Sequence, residues 1–134
     1  MPDDLHPRLR AILAELRRVP EIVSVAIARR DGLLIVHALP KSMNPKKIAA
    51  MAASIVGTSE MATVEIGHGS FLQSIVDSSN GKMLATGAGQ EAILVTMVRS
   101  EANMGLVLLS VDRAAREIAQ VIDEAEPESR EVEA

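Results

Sequence analysis

The 134-residue chain contains no cysteine, tryptophan or tyrosine, and Phe71 is its one phenylalanine. Without cysteine, the chain can form no disulfide, no thiolate nucleophile and no cysteine-based zinc site. With so few aromatic residues, it lacks the platforms on which proteins stack the bases of single-stranded nucleic acid. We therefore expect a core of aliphatic side chains and a function that depends on neither thiol chemistry nor base stacking.

Long apolar runs and an excess of basic charge are absent as well. The formal net charge is -4 and the pI about 5.4, whereas nucleic-acid-binding domains are usually basic. No stretch approaches the roughly 20 consecutive apolar residues that span a bilayer, and the acidic start, Met1–Asp4, does not resemble a secretory signal. We expect a cytoplasmic protein that binds no nucleic acid and inserts into no membrane.

The residues that are present have the composition of a single globular domain, since 48% are hydrophobic and 24% are charged. Apolar residues at three- and four-residue steps predict a helix from about residue 5 that Pro20 ends. Alternating apolar residues predict strands over 22–30 and 33–38. The Asp31-Gly32 pair between the two strands is a strong signal for a hairpin.

A second helix is expected from about Pro45 to Val64, with Asn44 as its N-terminal cap. Its apolar residues lie on more than one side, which predicts burial on more than one side. We expect one side to pack on a sheet and another to be covered by a second copy of the chain or by a different protein. Burial of the whole helix inside one protomer is the alternative. The two apolar stripes are Ile48, Met51, Ala52, Ile55 and Ala62, and Ala49, Ala53, Val56 and Val64.

The second half of the chain predicts three strands, over 71–77, 82–88 and 92–99, with a tight turn at Asn80-Gly81. A final helix follows. The predicted order is thus one helix, two strands, one helix, three strands and one helix. This order favours an α+β fold in which one antiparallel sheet carries helices on both faces.

The boundaries of the final helix are less strongly marked. Asn103 is expected to cap it, although the run Leu106–Leu109 could also form a strand. The acidic residues after position 122 predict a disordered tail over 123–134. The remaining residues, 1–122, are expected to form a single domain.

No motif in the chain predicts catalysis. His6, His37 and His68 lack the spacing of metal ligands. The segment 67–70 contains His68 and a serine but not the Gly-x-Ser-x-Gly pattern of a nucleophile elbow. The segment 87–89 is followed by a predicted strand, whereas a dinucleotide-binding loop is followed by a helix. We expect no catalytic residue, no bound cofactor and no metal.

Lys46 and Lys47 form a small basic cluster at the start of the second helix. Cations at a helix N-terminus are unfavourable by roughly 0.3–1 kcal/mol each, because they oppose the helix dipole. Contact with an acidic partner would offset that cost. A solvated, functionless surface is the alternative.

Three segments together resemble the Roadblock/dynein light chain family. The segment 23–33 is similar to the opening hairpin of these domains, in which a valine-rich strand precedes Asp-Gly. The segment 48–54 is similar to their Ala- and Met-rich central helix, and 103–107 to the start of their last helix. The resemblance covers roughly residues 5–122.

The resemblance implies a Roadblock-like, profilin-like fold with three α/β/α layers. A five-stranded antiparallel sheet would lie between one helix on one face and two helices on the other. Members of this family dimerise by pairing edge strands and by placing their central helices side by side. The matching edge strand here is 71–77, and the implied homodimer interface comprises Met51, Ile55, Phe71, Gln73 and Ile75.

The resemblance also implies a function. Members bind small Ras-like GTPases as regulators or scaffolds, or act as light chains of motor proteins, and they contribute no catalytic residues that could be assigned here. A GTPase would contact the central helix at Lys46, Lys47, Ala50 and Ser54. Two alternatives are a structural or motor-associated assembly subunit without a GTPase partner and a domain that senses a small molecule.

Overall fold

Three helices and five strands, in the order that the sequence predicts, make up residues 5–125, the part of the chain that the computed structural model describes. The α+β class and the five-stranded antiparallel sheet are confirmed. The elements are α1 (Leu5–Leu16), β1 (Ile22–Arg29), β2 (Leu34–Ala38), α2 (Pro45–Glu65), β3 (Gln73–Ser78), β4 (Gly81–Ala88), β5 (Ala92–Val98) and α3 (Met104–Ala125).

Local sequence signals account for several of these boundaries. The Asn44 side chain accepts a hydrogen bond from the Lys47 backbone N–H at 3.2 Å, which caps α2. Asn103 accepts one from Leu106 N–H at 3.3 Å and caps α3 in the same way. Residues 106–109 are therefore helical, and the alternative in which they form a strand is wrong.

Three predicted boundaries shift by a few residues. Helix α1 ends at Leu16 rather than at Pro20, and short turns that satisfy the last carbonyls fill the gap. Strand β3 begins at Gln73, two residues later than expected. The tight turn between β3 and β4 contains residues 79 and 80, because Gly81 already pairs with Ser78.

Helix α3 continues to Ala125, three residues into the segment 123–134 that was expected to be a disordered tail. Burial of Ile122 and an ion pair between Arg8 Nη2 and Glu124 Oε1 at 2.9 Å attach this last turn to α1. The hydrogen bond and the positive charge of Arg8 lower the pKa of Glu124. Residues 126–134 of the predicted tail lie outside the described residues.

The sheet has the strand order β2-β1-β5-β4-β3, and all neighbours are antiparallel. Helices α1 and α3 pack together on one face, and α2 alone covers the other. Successive residues of a strand point to opposite faces, so that Val25 and Ile27 lie in the α1/α3 layer while Ala26 lies under α2. The predicted arrangement of one helix opposite two is confirmed.

The layer under α2 is thin because its central residues are small. Ala26 and Ala85 of the sheet are fully buried beneath Ala52 of the helix. Small facing residues let a helix approach a sheet closely and still fill the space between the two. The single phenylalanine, Phe71, packs against this cluster and is half-buried.

Among the side chains of the described residues, a single polar group is buried without a hydrogen-bond partner, the Thr96 hydroxyl of β5. The residue is 0% exposed, and it is opposed in the sheet by Val25 and Leu84. The Thr86 hydroxyl on β4, by contrast, donates to Gln73 Oε1 at 3.5 Å. Burial of an unpaired hydroxyl destabilises the folded state.

We expect Thr96→Val to raise the free energy of unfolding by about 1 kcal/mol, because it replaces the unpaired hydroxyl with a methyl group of similar size. Urea unfolding followed by circular dichroism measures this change. Thr86→Val is the matched control and should leave stability unchanged or lower it. Equal destabilisation by both variants would contradict the assignment of an unpaired hydroxyl.

Candidate protein-interaction site

The outer face of α2, which points away from the sheet, is uncovered in the protomer. The residues of α2 that are buried, Ala49, Ala52 and Val56, all lie on the opposite side. Between Lys47 and Glu65 the helix has a single charged residue, Glu60, and its carboxylate pairs with Arg30 rather than facing outward. The exposed residues of the outer face are Lys46, Lys47, Ala50, Met51, Ser54, Thr58, Met61 and Ala62.

Burial of α2 on all sides within one protomer is therefore wrong. Met61 is 74% exposed and Val64 is 77% exposed. Val64 was expected to share a buried stripe with Ala49 and Val56. Periodicity alone could not show that the sheet would contact only one side of an apolar helix.

The four residues predicted to contact a partner lie together on this outer face. Lys46, Lys47, Ala50 and Ser54 are all exposed, and at about 100° per residue they fall on one side of the helix. Within residues 5–125, neither lysine forms an ion pair. The structure thus brings this predicted set into one continuous surface.

Strand β3 is an edge of the sheet and borders the outer face of α2. Its one neighbouring strand is β4, so that its other side presents unpaired backbone groups. A hydrogen bond of 2.8 Å between the hydroxyls of Ser59 and Ser74 connects α2 to this strand. This contact places α2 beside the open edge of the sheet.

The five residues predicted to form a homodimer interface lie on both faces of this edge. Phe71 and Ile55 are half-buried and Met51 is exposed, all three on or beside α2. Gln73 and Ile75 are opposite Thr86 and Leu84, which places their side chains on the α1/α3 face. Ile75 is 45% exposed there.

Sequence reasoning missed other exposed apolar side chains in the same region. Leu72, just before β3, is 76% exposed, and Val76 is exposed on the α2 face of the strand. Ile66 is exposed at the end of α2. The alternation of Ser74 and Val76 along the strand was the one signal that could have identified Val76.

Sequence reasoning also missed the side chain that anchors α2. The Arg30 guanidinium pairs with the Glu60 carboxylate of α2 and donates hydrogen bonds to the carbonyl oxygens of Gly89, at 2.9 Å, and Ala92, at 3.3 Å. A Cβ atom at Gly87 would lie 2.9 Å from Arg30 Nη2. The absence of a side chain at Gly87 thus leaves room for the Arg30 guanidinium in the position it occupies.

A cavity of about 730 Å³ opens at the hairpin end of the sheet, beside the first turn of α1. Its charged lining includes Arg29 and Asp31, which pair with each other at 2.7 Å, and Arg30, which is held by Glu60. These arginines are therefore already neutralised by the protein's own carboxylates.

No reactive constellation accompanies these surfaces in the described part of the chain. His68 and Ser70 are exposed in the connection between α2 and β3. Within residues 5–125, no three His, Asp or Glu side chains form a group that could hold a metal ion. None of the helices there combines the length and the apolar character that a membrane span requires.

Comparison with known proteins identifies the family. Residues 9–97 match the Roadblock/LC7 domain. Uncharacterized protein MJ1340 of Methanocaldococcus jannaschii is 35% identical over 107 residues, which cover 80% of this chain and 93% of that protein. The chain belongs to the Roadblock/LC7 domain family, as the three segments of the sequence predicted.

Two solved structures support the same fold. MglB of Myxococcus xanthus has a TM-score of 0.85 with 19% identity, over 92% of this chain and 94% of that one. LokiProfilin1, in its complex with rabbit actin, has a TM-score of 0.62 with 15% identity, over 86% and 96% of the two chains. The Roadblock-like and profilin-like descriptions of the fold are thus confirmed.

We expect Arg30→Met to lower the free energy of unfolding by about 1–2 kcal/mol, because it removes a charged hydrogen-bonding group that joins α2 to β5 and to the turn before it. Chemical denaturation measures the change. Arg29→Met is the matched control: it removes an adjacent, more exposed ion pair, and the expected loss is about 0–1 kcal/mol. Equal losses in both variants would show that Arg30 has no special role in anchoring α2.

Proposed function

We propose that this chain is a non-catalytic homodimeric module of the cytoplasm that binds a small Ras-like GTPase and regulates or scaffolds it. The observation that carries the proposal is the exposed outer face of α2, which has no charged residue after Lys47 and lies beside the open edge of β3. An apolar helix face and an unpaired strand edge are both unfavourable in water. Two copies that pair through β3 would cover the edge and bring their α2 helices together.

Support for a GTPase partner comes from membership of the Roadblock/LC7 domain family and from the charge at the start of α2. Lys46 and Lys47 lie where the helix dipole disfavours cations. An acidic patch on a partner would favour them there. Ala50 and Ser54 continue the same surface with small side chains, which allow a partner's backbone to approach closely.

The cavity beside α1 gives less support to the alternative of a small-molecule sensor. A ligand site needs convergent polar groups that are available to the ligand. Arg29 and Arg30 are engaged in ion pairs within the protomer. A structural assembly subunit without a GTPase would use the same α2 and β3 surfaces, so that the two functions are separated by partner binding.

We expect Ile75→Glu to convert the homodimer into a folded monomer, because it places a carboxylate on the strand edge where two copies would meet. Light scattering at micromolar concentration measures the mass, and circular dichroism verifies the fold. Leu109→Glu is the matched control, since Leu109 is exposed on α3 rather than on β3. A wild-type protein that is monomeric would contradict the homodimer.

We expect the double variant Lys46→Glu, Lys47→Glu to weaken binding of a small Ras-like GTPase from the same organism at least about tenfold, which corresponds to about 1.4 kcal/mol. The helix should remain stable, because acidic residues favour a helix N-terminus. Biolayer interferometry with the GTPase in GDP and GTP-analogue forms measures the affinity.

The matched control for this charge reversal is Arg10→Glu, Arg17→Glu, which makes the same change at exposed positions in α1 and directly after it, beyond the opposite face of the sheet. Loss of binding in the control alone would place the partner on α1. Absence of any binding by the wild type would favour the assembly subunit.

A further inference from the structure

The open edge of β3 has a defined backbone orientation. The Leu72 carbonyl, just before the strand, accepts a hydrogen bond from Gly87 N at 3.2 Å and therefore points toward β4. In an extended strand the N–H and C=O of one residue point to the same side, and successive residues alternate. The even-numbered residues of β3 are therefore bonded to β4, while the odd-numbered residues Gln73, Ile75 and Asp77 direct their backbone groups at the open edge.

The side chains of these odd-numbered residues share one face. Residues directly opposite in an antiparallel pair have side chains on the same face, and Ile75 is opposite Leu84 of the α1/α3 core. Two copies that extend one antiparallel sheet are related by a two-fold axis perpendicular to it, which keeps each face continuous. An odd-numbered residue of one copy must then pair with an odd-numbered residue of the other.

We infer that a second copy pairs with β3 in the register that puts Ile75 opposite Ile75 of the partner subunit, on the two-fold axis. This inference rests on the proposed homodimer. In this register Gln73 is opposite Asp77 of the partner subunit, and Asp77 is opposite Gln73 of the partner subunit. All three outward-directed residues of each copy gain backbone partners.

In the neighbouring registers, fewer of the outward-directed backbone N–H and C=O groups of β3 gain a hydrogen-bond partner. An axis at Ser74 leaves the outward backbone groups of Asp77 without a partner strand residue. An axis at Val76 leaves those of Gln73 unpaired, and it opposes the Asp77 carboxylate to an isoleucine. An axis at Asp77 opposes two carboxylates, which is destabilising for directly opposite residues.

Side-chain chemistry supports the same register. The Gln73 amide oxygen accepts a hydrogen bond from Thr86, so that its N–H₂ group remains to donate. Asp77 Oδ1 accepts from Lys82 Nζ at 2.8 Å, and Oδ2 remains to accept. An amide N–H₂ of one copy opposite a carboxylate oxygen of the other is a complementary pair, repeated on both sides of the axis. Between these pairs, the exposed Ile75 side chains of the two copies would cover each other.

The absence of native cysteine makes the register measurable by disulfide formation. We expect Ile75→Cys to form a cross-linked dimer about tenfold faster than Ser74→Cys or Val76→Cys under mild oxidation, because opposite Cα atoms lie about 5.5 Å apart, within disulfide range. The other two positions would face their own copies diagonally, at about 7–8 Å. Non-reducing electrophoresis over time gives the rates.

A mixed experiment provides an independent check. Gln73→Cys and Asp77→Cys proteins, combined and oxidised, should form the mixed disulfide faster than either forms its own. Gln90→Cys, in the exposed turn between β4 and β5, reports the background rate of collision between dimers.

The outcomes separate the register from the homodimer itself. Fastest cross-linking at Ser74→Cys or Val76→Cys would overturn the register and leave the homodimer intact. A dimer by light scattering in which no β3 cysteine exceeds the Gln90→Cys rate would overturn pairing through β3. A monomeric wild type would overturn the homodimer, and the register with it.

Discussion

The structure depends on two central strands that are apolar on both faces. Val25 and Ile27 of β1 point into one layer while Ala26 and Ala28 are buried in the other, and β5 repeats the pattern. Such strands must be covered on both sides. Two helices supply enough side chains for the first face, and a single helix must cover the second.

This asymmetry explains the candidate site. One helix that covers a five-stranded sheet has to lie close to it, which the alanines under α2 permit, and it reaches the edge strand only through contacts such as Ser59 with Ser74. The helix also exposes apolar side chains such as Met51 and Met61 on its outer side, which no other element of the protomer covers. Arg30 fixes the other flank of α2 by pairing with Glu60. The result is a helix that is attached at both flanks and exposed along its outer side.

Much of this arrangement could be predicted because its signals are local. Asn44 and Asn103 cap helices through their own neighbours, and in the Asp31-Gly32 turn Gly32 has a positive φ while Asp31 accepts a hydrogen bond from Leu33 N–H. The four partner-binding candidates on α2 could be grouped because helical spacing places them on one side. The role of Arg30 could not be predicted, since its partners come from α2 and from the turn before β5, far along the chain. The exposure of Val64 could not be predicted either, since it depends on which side of α2 contacts the sheet.

By itself, the sequence determined the element order, the antiparallel α+β class, the aliphatic core and the family, because periodicity, caps and turn residues act within a few positions. The tertiary structure decided which side of α2 meets the sheet, which strand is left at the edge and which backbone groups of that strand face outward. Those properties depend on the strand order β2-β1-β5-β4-β3, which joins distant segments. The position of Ile75 at the open edge and the contact of Gly87 with Arg30 therefore arise only when the sheet is assembled.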